Sequence, residues 1–275
     1  MNTLNQRTVF ITGGSRGIGR AIALACARQG ANVVIAAKSD TPHPKLPGTI
    51  HTVAEEIRAA GGQALPLVLD VRDDRQVRQR VDEAADHFGG IDALINNAGA
   101  IRLTGVENLK VSRYDLMHQV NARAVFTCSQ AALPYLKASD RAHILSLSPP
   151  LNLNTKWFAQ YGPYTTTKYA MTMLSMGMAE EFRRYGIAVN TLWPKTLIAT
   201  AAIEFEVGGP QMMAQGRKPD IMADAAVSIL NRTADDLTGQ HLIDEDLLRQ
   251  DGITDFEPYR YAPGDKPLMP DLFLD

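Results

Sequence analysis

What most restricts the fold of this chain is an alternation of two kinds of segment. Thr8-Val9-Phe10-Ile11 is a short run rich in β-branched and aromatic residues. A glycine cluster follows at once, and then Ala21 to Arg28, which has helical composition. Comparable strand runs recur at Asn32 to Ala37, Ala64 to Leu69, Ile91 to Ile95, His143 to Leu147, Ile187 to Leu192 and Gln240 to Ile243. Longer segments of helical period lie between them, at Thr52 to Ala60, Gln76 to Phe88, Tyr114 to Leu136 and Tyr164 to Arg184. Strands that are apolar on both faces and alternate with helices require a parallel sheet buried under helices on each side. Right-handed crossovers then predict an α/β fold with a single doubly wound parallel β-sheet of about seven strands, ligands sitting at the carboxyl ends of those strands. The alternation is unbroken, which predicts one domain over 1–275.

Three segments interrupt it. Asp40 to Thr49 holds Pro42, Pro44 and Pro47 and is predicted to be a loop. Residues 201–220 carry Gly208-Gly209-Pro210, Met212, Met213 and Gly216, and are predicted to form a substrate lid over the carboxyl edge of the sheet. The tail, 245–275, is expected to pack on the body or on a neighbouring subunit and to contribute no chemistry.

Composition excludes several function classes. Of 275 residues, 45% are hydrophobic and 21% charged, which is ordinary for a globular protein and incompatible with a disordered chain. A net charge of -2 with no basic cluster gives nucleic acid nothing to bind. No apolar run approaches the ~20 residues of a spanning helix. The start, Met1-Asn2-Thr3-Leu4-Asn5-Gln6-Arg7, lacks the features of a signal peptide. Cys26 and Cys128 stand alone in apolar surroundings, as buried reduced thiols would. A soluble cytoplasmic protein without a metal is the expectation.

Between the first strand and the first helix lies Thr12-Gly13-Gly14-Ser15-Arg16-Gly17-Ile18-Gly19. Glycines there let the backbone turn tightly and approach a pyrophosphate, whose charge meets free N–H groups and the positive end of the helix. A dinucleotide site of Rossmann type is the reading. The second strand ends Ala36-Ala37-Lys38, without the acid that usually holds the ribose hydroxyls of NAD, and Arg16 stands inside the glycine turn. Two cations facing one site suit a 2′-phosphate, so NADP(H) is expected over NAD(H). Asp40 is the nearby acid that could approach a ribose hydroxyl instead.

Three motifs taken together, Thr12-Gly13-x-x-x-Gly17-x-Gly19, Asn97-Ala98-Gly99 and Tyr164-x-x-x-Lys168, resemble the short-chain dehydrogenase/reductase family over residues 7 to about 244. Within it, Ser148-Pro149-Pro150-Leu151-Asn152-Leu153-Asn154, Trp193-Pro194-Lys195-Thr196, the loop Thr41 to Lys45 and the ending Pro270 to Asp275 are most similar to the hydroxysteroid dehydrogenase-like branch. The resemblance implies that Asp70, beside Val71, holds the adenine ring. It further implies that Asn97, Ala98 and Gly99 line the cofactor, and that Pro194, Leu197, Ile198 and Thr200 follow the nicotinamide.

Tyr164 and Lys168 are four residues apart, on one face of a helix. A phenol titrates near pH 10, and a neighbouring ammonium with the charge of an oxidised nicotinamide lowers that value, so Tyr164 can exchange the alcohol proton as hydride moves. Lys168 would also hold the nicotinamide ribose. Tyr161 is a rival by type, but has Thr165 where a lysine is needed. By resemblance, Asn121 kinks the long helix and holds a water that relays protons to Lys168. The family's carbonyl-polarising serine aligns with Pro149. Ser148 is the nearest hydroxyl, and Asn152 and Asn154 are alternative donors. Lys195 stands where many relatives have glycine.

Ile203, Phe205, Val207, Met212 and Met213 offer a soft apolar lining, with Trp157 and Phe158 as a facing wall. The expected substrate is a small hydrophobic alcohol or carbonyl, lipid- or isoprenoid-like. Two alternatives are kept: reduction of an enoyl or 3-oxoacyl thioester, with Arg217 and Lys218 as a basic entrance, and a non-catalytic cofactor-sensing protein. By resemblance the chain self-associates as a dimer or tetramer.

Overall fold

The computed structural model describes residues 3–264 and 266–274. Met1, Asn2, Asp265, Asp275 and the side chain of Glu206 lie outside the described residues. Strands β1 (Thr8–Thr12), β2 (Asn32–Ala37), β3 (Gln63–Val68), β4 (Ala93–Asn96), β5 (His143–Ser146), β6 (Ala188–Trp193) and β7 (His241–Ile243) form one sheet. Its order is β3-β2-β1-β4-β5-β6-β7, and every pairing is parallel. The order reverses between β1 and β4, which opens a crevice at their carboxyl ends.

Side chains alternate across each strand and so build two cores. Val9, Ile11, Val33, Ile35 and Leu145 point to one face, where α1 (Gly17–Arg28), α2 (Ile50–Ala59), α8 (Asp220–Leu230) and α9 (Asp244–Gln250) cover them. Phe10, Val34, Ala36, Leu94 and Ile144 point to the other, under α3 (Asp74–Phe88), α5 (Ala124–Leu136) and α6 (Thr155–Phe182). Each fully buried aliphatic side chain contributes about 1.5–3 kcal/mol.

Three sequence expectations change here, and each change shapes the site. The helix expected from Tyr114 to Leu136 is α4 (Val111–His118), then one π turn (Gln119–Arg123), then α5. Asn121 is at the centre of that turn. The helix expected from Tyr164 to Arg184 begins earlier, at Thr155, and is capped by Asn154, whose side chain accepts from the Lys156 N–H at 3.1 Å. It kinks at Tyr161 (φ -135, ψ 24), because Pro163 lacks an N–H and its ring crowds the preceding turn. Residues 201–220 hold a π turn (Ile203–Val207) and a short helix, α7 (Gly209–Met213).

The tail is tied to the loop after β6. Leu197 N–H donates to Met269 C=O (2.9 Å), Asp271 N–H to Lys195 C=O (3.1 Å), and Met269 N–H to Gln215 C=O (2.9 Å). Among the described residues no helix is long and apolar enough to cross a membrane.

Candidate active site

The glycine turn is built for close backbone approach. Gly13 has φ +68, and a Cβ there would sit 2.9 Å from Ala98 Cα; one at Gly19 would sit 2.4 Å from the Gly13 carbonyl oxygen. Asn97 holds the turn from the β4 side, its Nδ2 donating to the carbonyls of Thr12 (2.9 Å) and Gly13 (3.0 Å). Thr12 Oγ1 accepts from the N–H groups of Asn97 and Ala98, both at 3.1 Å. A groove of about 550 Å³ runs over this turn, lined by Gly13, Ser15, Arg16, Gly17, Ile18, Lys38, Asp70, Val71, Asn97, Ala98 and Gly99. Gly14 packs against Ile35 beneath it.

Cations gather at the β2 end of that groove. Arg16 donates to Ser39 Oγ (2.8 Å) and to the carbonyls of Pro47 and Gly48 (3.0 Å each), so it also pins the proline loop. Lys38 lies 3.4 Å from Asp70, which is also gripped by Arg72 through both carboxylate oxygens. The hydrogen bond from Arg72, against the opposing effect of burial, holds the Asp70 carboxyl down at about 2. Arg72 was not singled out from sequence; a cation two residues after the adenine-side acid was the available signal. Asp40, the possible ribose partner, instead meets His51 at 2.7 Å and does not line the groove.

At the β5–β6 end the groove opens into a cavity of about 360 Å³. Tyr164, Lys168 and Asn121 line it together. The Tyr164 hydroxyl makes no hydrogen bond among the described residues, and its ring stacks on Phe273 (centroids 6.2 Å apart, planes at 27°). Lys168 Nζ donates to Leu147 C=O (2.6 Å) and lies 5.1 Å from the Trp193 ring centroid. Burial lowers the Lys168 ammonium to about 8, and burial, the largest cause, raises the Tyr164 phenol. Within the chain itself Tyr164 is therefore pushed up, not down as the Tyr–Lys pairing suggested. Asn121 clamps the turn after β4: its Oδ1 accepts from Ala100 N–H (2.8 Å), while its Nδ2 donates to Ala100 C=O (3.0 Å) and Thr167 Oγ1 (2.9 Å).

Cradle, groove and Tyr–Lys pair occupy one crevice, and residues 7–205 match the short chain dehydrogenase family. The chain belongs to that family. It is 56% identical over 268 residues to the hydroxysteroid dehydrogenase-like protein 2 of Xenopus laevis, covering 98% of this chain and 63% of that protein. The chain thus spans less than two thirds of that relative's length. A crystal structure of a short chain dehydrogenase from Mycobacterium thermoresistibile superposes with a TM-score of 0.93 at 49% identity, covering 99% of this chain and 96% of that one. A short chain dehydrogenase from Burkholderia cenocepacia, solved in complex with NADP, superposes with a TM-score of 0.74 at 28% identity, covering 88% and 97%. Membership in this family makes the chain a short chain dehydrogenase by class.

The family serine is where the structure departs from expectation. Ser148 is fully buried and does not line the cavity; its hydroxyl is bonded to Thr172 Oγ1 at 3.0 Å, one turn beyond Lys168. The following prolines carry the chain away from the site at this point. Asn152 does not substitute for it, because its Nδ2 donates to Phe273 C=O (3.1 Å), and Asn154 caps α6. Trp157 and Phe158 form no wall of the cavity; they meet Phe273 and Tyr169 edge to face, respectively. The apolar wall comes instead from Ile203, Val207 and Met212, with Met269 and Leu272 of the tail. Phe205 lies over the groove, and Met213 is buried away from the cavity.

Pro194, Leu197, Ile198 and Thr200 line the cavity. Lys195 turns away to Asp246 (2.7 Å) and Glu245 (3.5 Å), and these partners raise its ammonium above the usual range. Arg217 is buried in an ion pair with Glu245, and Lys218 Nζ donates to Pro258 C=O (2.9 Å). A basic entrance for a thioester is therefore absent at these two positions.

Proposed function

We propose that the chain is an NADP(H)-dependent oxidoreductase that moves hydride between the nicotinamide and a hydrophobic alcohol or carbonyl. The observation that carries the reading is the position of Tyr164 and Lys168, in an apolar cavity that opens off the glycine-turn groove. Ile18, Asn97, Gly99, Ala100 and Thr200 line both spaces, so a dinucleotide stretched along the groove brings its reactive ring to the cavity. Gly13 to Gly19 would hold the pyrophosphate, and Arg16, Lys38 and Arg72 a 2′-phosphate. The nicotinamide, when bound, supplies or takes the hydride.

The residues of the chain divide the remaining work. Tyr164 gives a proton to the substrate oxygen in reduction and takes it in oxidation. A phenol raised by burial is a neutral donor, the form that reduction uses. Lys168, fixed by Leu147 C=O, holds positive charge beside the ribose. Asn121 keeps the Gly99–Ala100 turn at the depth where the cavity and groove meet. Ile203, Val207, Met212 and Met222 exclude water and suit a lipid- or isoprenoid-like chain.

Self-association fits the exposure of Phe126 on α5 and of Met173 and Met176 on α6. The buried thiols of Cys26 and Cys128, both pushed up to about 12 by desolvation, suit a reducing compartment such as the cytoplasm. The test is NADPH and NADH oxidation by purified protein across aliphatic ketones, aldehydes and acyl thioesters. Turnover of apolar ketones with NADPH favoured by tenfold or more supports the reading. Preference for NADH overturns the cofactor assignment, exclusive use of thioesters or polyols overturns the substrate class, and binding without turnover favours a sensor.

A further inference from the structure

We propose that Asp271, carried into the cavity by the C-terminal tail, takes over the work of the family serine: its neutral carboxyl donates a hydrogen bond to the substrate oxygen beside Tyr164. The inference rests on the oxidoreductase reading above and adds a residue to it.

Four observations converge on this carboxyl. First, the hydroxyls of the β5 end lie outside the cavity lining, Ser146 accepting from Ser175 (3.1 Å) and Ser148 from Thr172 (3.0 Å). Second, the amides in the cavity lining are spent: Asn97 donates to the Thr12 and Gly13 carbonyls, Asn121 to Ala100 and Thr167. Third, Asp271 is the one carboxyl among the described residues that line the cavity shared by Tyr164 and Lys168. Its Oδ1 accepts from Leu272 N–H (2.7 Å), and its Oδ2 makes no hydrogen bond among the described residues. Fourth, the carboxyl is fixed in place. Asp271 N–H donates to Lys195 C=O, Trp193 Nε1 to Leu272 C=O (2.9 Å), and Thr196 bridges Pro270.

The surrounding charges leave the acid room to stay protonated. The groups that act on it are Lys168 and Tyr164 from α6 and Asp244 from the start of α9. The two cations nearest in the tail region, Lys195 and Arg217, are paired with Glu245 and Asp246 and do not neutralise it. Desolvation, helped by Asp244 and opposed by Lys168, pushes the carboxyl up to about 7. A carboxylic acid held neutral in an apolar site is a strong donor to an oxygen that gains negative charge. During reduction the oxygen collects the carbonyl π pair and receives its proton from Tyr164. Asp271 keeps its own proton and only shares it, so the redox and proton balance is unchanged.

The test separates this role from turnover. Decanamide presents a carbonyl acceptor on an apolar chain and is not reduced by a nicotinamide. It is titrated by calorimetry into the full chain between about pH 5.5 and 8.5. Wild type should bind about tenfold more weakly at the alkaline end, Asp271→Asn should bind tightly throughout, and Asp271→Ala weakly throughout. In turnover of a ketone, Asp271→Asn should lose the fall in kcat/KM near pH 7 and keep at least tenfold more activity than Asp271→Ala, which drops by about a hundredfold. Unchanged amide affinity in Asp271→Ala, or a tenfold fall in affinity centred near pH 7 that persists in Asp271→Asn, overturns the proposal; a weaker fall centred near pH 8 belongs to Lys168. Absence of carbonyl reduction by the wild type overturns the oxidoreductase reading, and the amide titration still decides the role of Asp271.

Discussion

Replacing Phe273 by Ala should free the tail without unfolding the domain. Phe273 is almost wholly buried, 1% exposed, and its ring meets Tyr169 (5.4 Å), Trp157 (5.6 Å), Trp193 (5.8 Å) and Tyr164 (6.2 Å). Truncation of such a ring costs about 3–5 kcal/mol. The residue also sits at φ +71, where a side chain costs roughly 1–2 kcal/mol, so the aromatic contacts are holding a strained backbone. Removing them leaves the strain unopposed, and the tail, joined to the body by a few backbone bonds, should detach locally. Hydrogen exchange at the amides of Met269 and Asp271, which donate to Gln215 and Lys195, reads this directly. Protection there should fall by about two powers of ten or more, at roughly 1.4 kcal/mol per tenfold, while amides of β1 and β4 stay as they were. Phe273→Gly should do no worse than Phe273→Ala, because glycine regains the backbone cost. Unchanged protection at Met269 and Asp271 in Phe273→Ala, or slower exchange in Ala than in Gly by more than tenfold, would refute the reasoning.

Other consequences are as sharp. Tyr164→Phe should lower kcat by about a hundredfold or more and leave NADPH affinity, measured by fluorescence titration, within about twofold. Ser148→Ala should retain turnover within about threefold and lose only ~1 kcal/mol in a denaturant melt, since its hydroxyl bonds to Thr172 and not to the cavity. Arg217→Met should destabilise the fold by about 1–3 kcal/mol in the same melt, because Glu245 loses its most buried partner and keeps Arg249 (2.9 Å) and Lys195 (3.5 Å). His143, buried with its Nε2–H donating to Arg232 C=O (3.0 Å), is pushed down to about 3, chiefly by desolvation. The unfolded chain therefore binds its proton first, and stability should fall as pH drops below about 6.5, by up to about 1.4 kcal/mol per pH unit. His143→Gln should flatten that limb.

How much of this was legible in the sequence depends on the range over which each feature acts. The strands of the sheet and the cradle from Gly13 to Gly19 depend on local pattern and turn chemistry, and their positions agree with the reading to within a few residues. Tyr164 and Lys168 share a helical turn, so their convergence is local as well. Asp271 was invisible because its neighbours Tyr164 and Lys168 are about a hundred residues earlier, and only the docking of the tail on β6 brings them together. The tail was therefore read as packing alone, when it forms part of the cavity wall. Ser148 looked available because it ends a strand, but the turn at Pro149 aims its hydroxyl at Thr172. Arg217 looked like a surface cation until its pairing with Glu245, across the sheet edge, buried it.

The most direct measurement follows a label. NADPH carrying deuterium at the transferable position is mixed with the purified protein and an apolar ketone, and the product alcohol is examined by mass spectrometry. Deuterium on the carbinol carbon, lost when Tyr164 is replaced by Phe or Lys168 by Met, is the predicted result. An unlabelled alcohol, or label transfer that survives both replacements, would contradict a hydride-transfer site built on that pair.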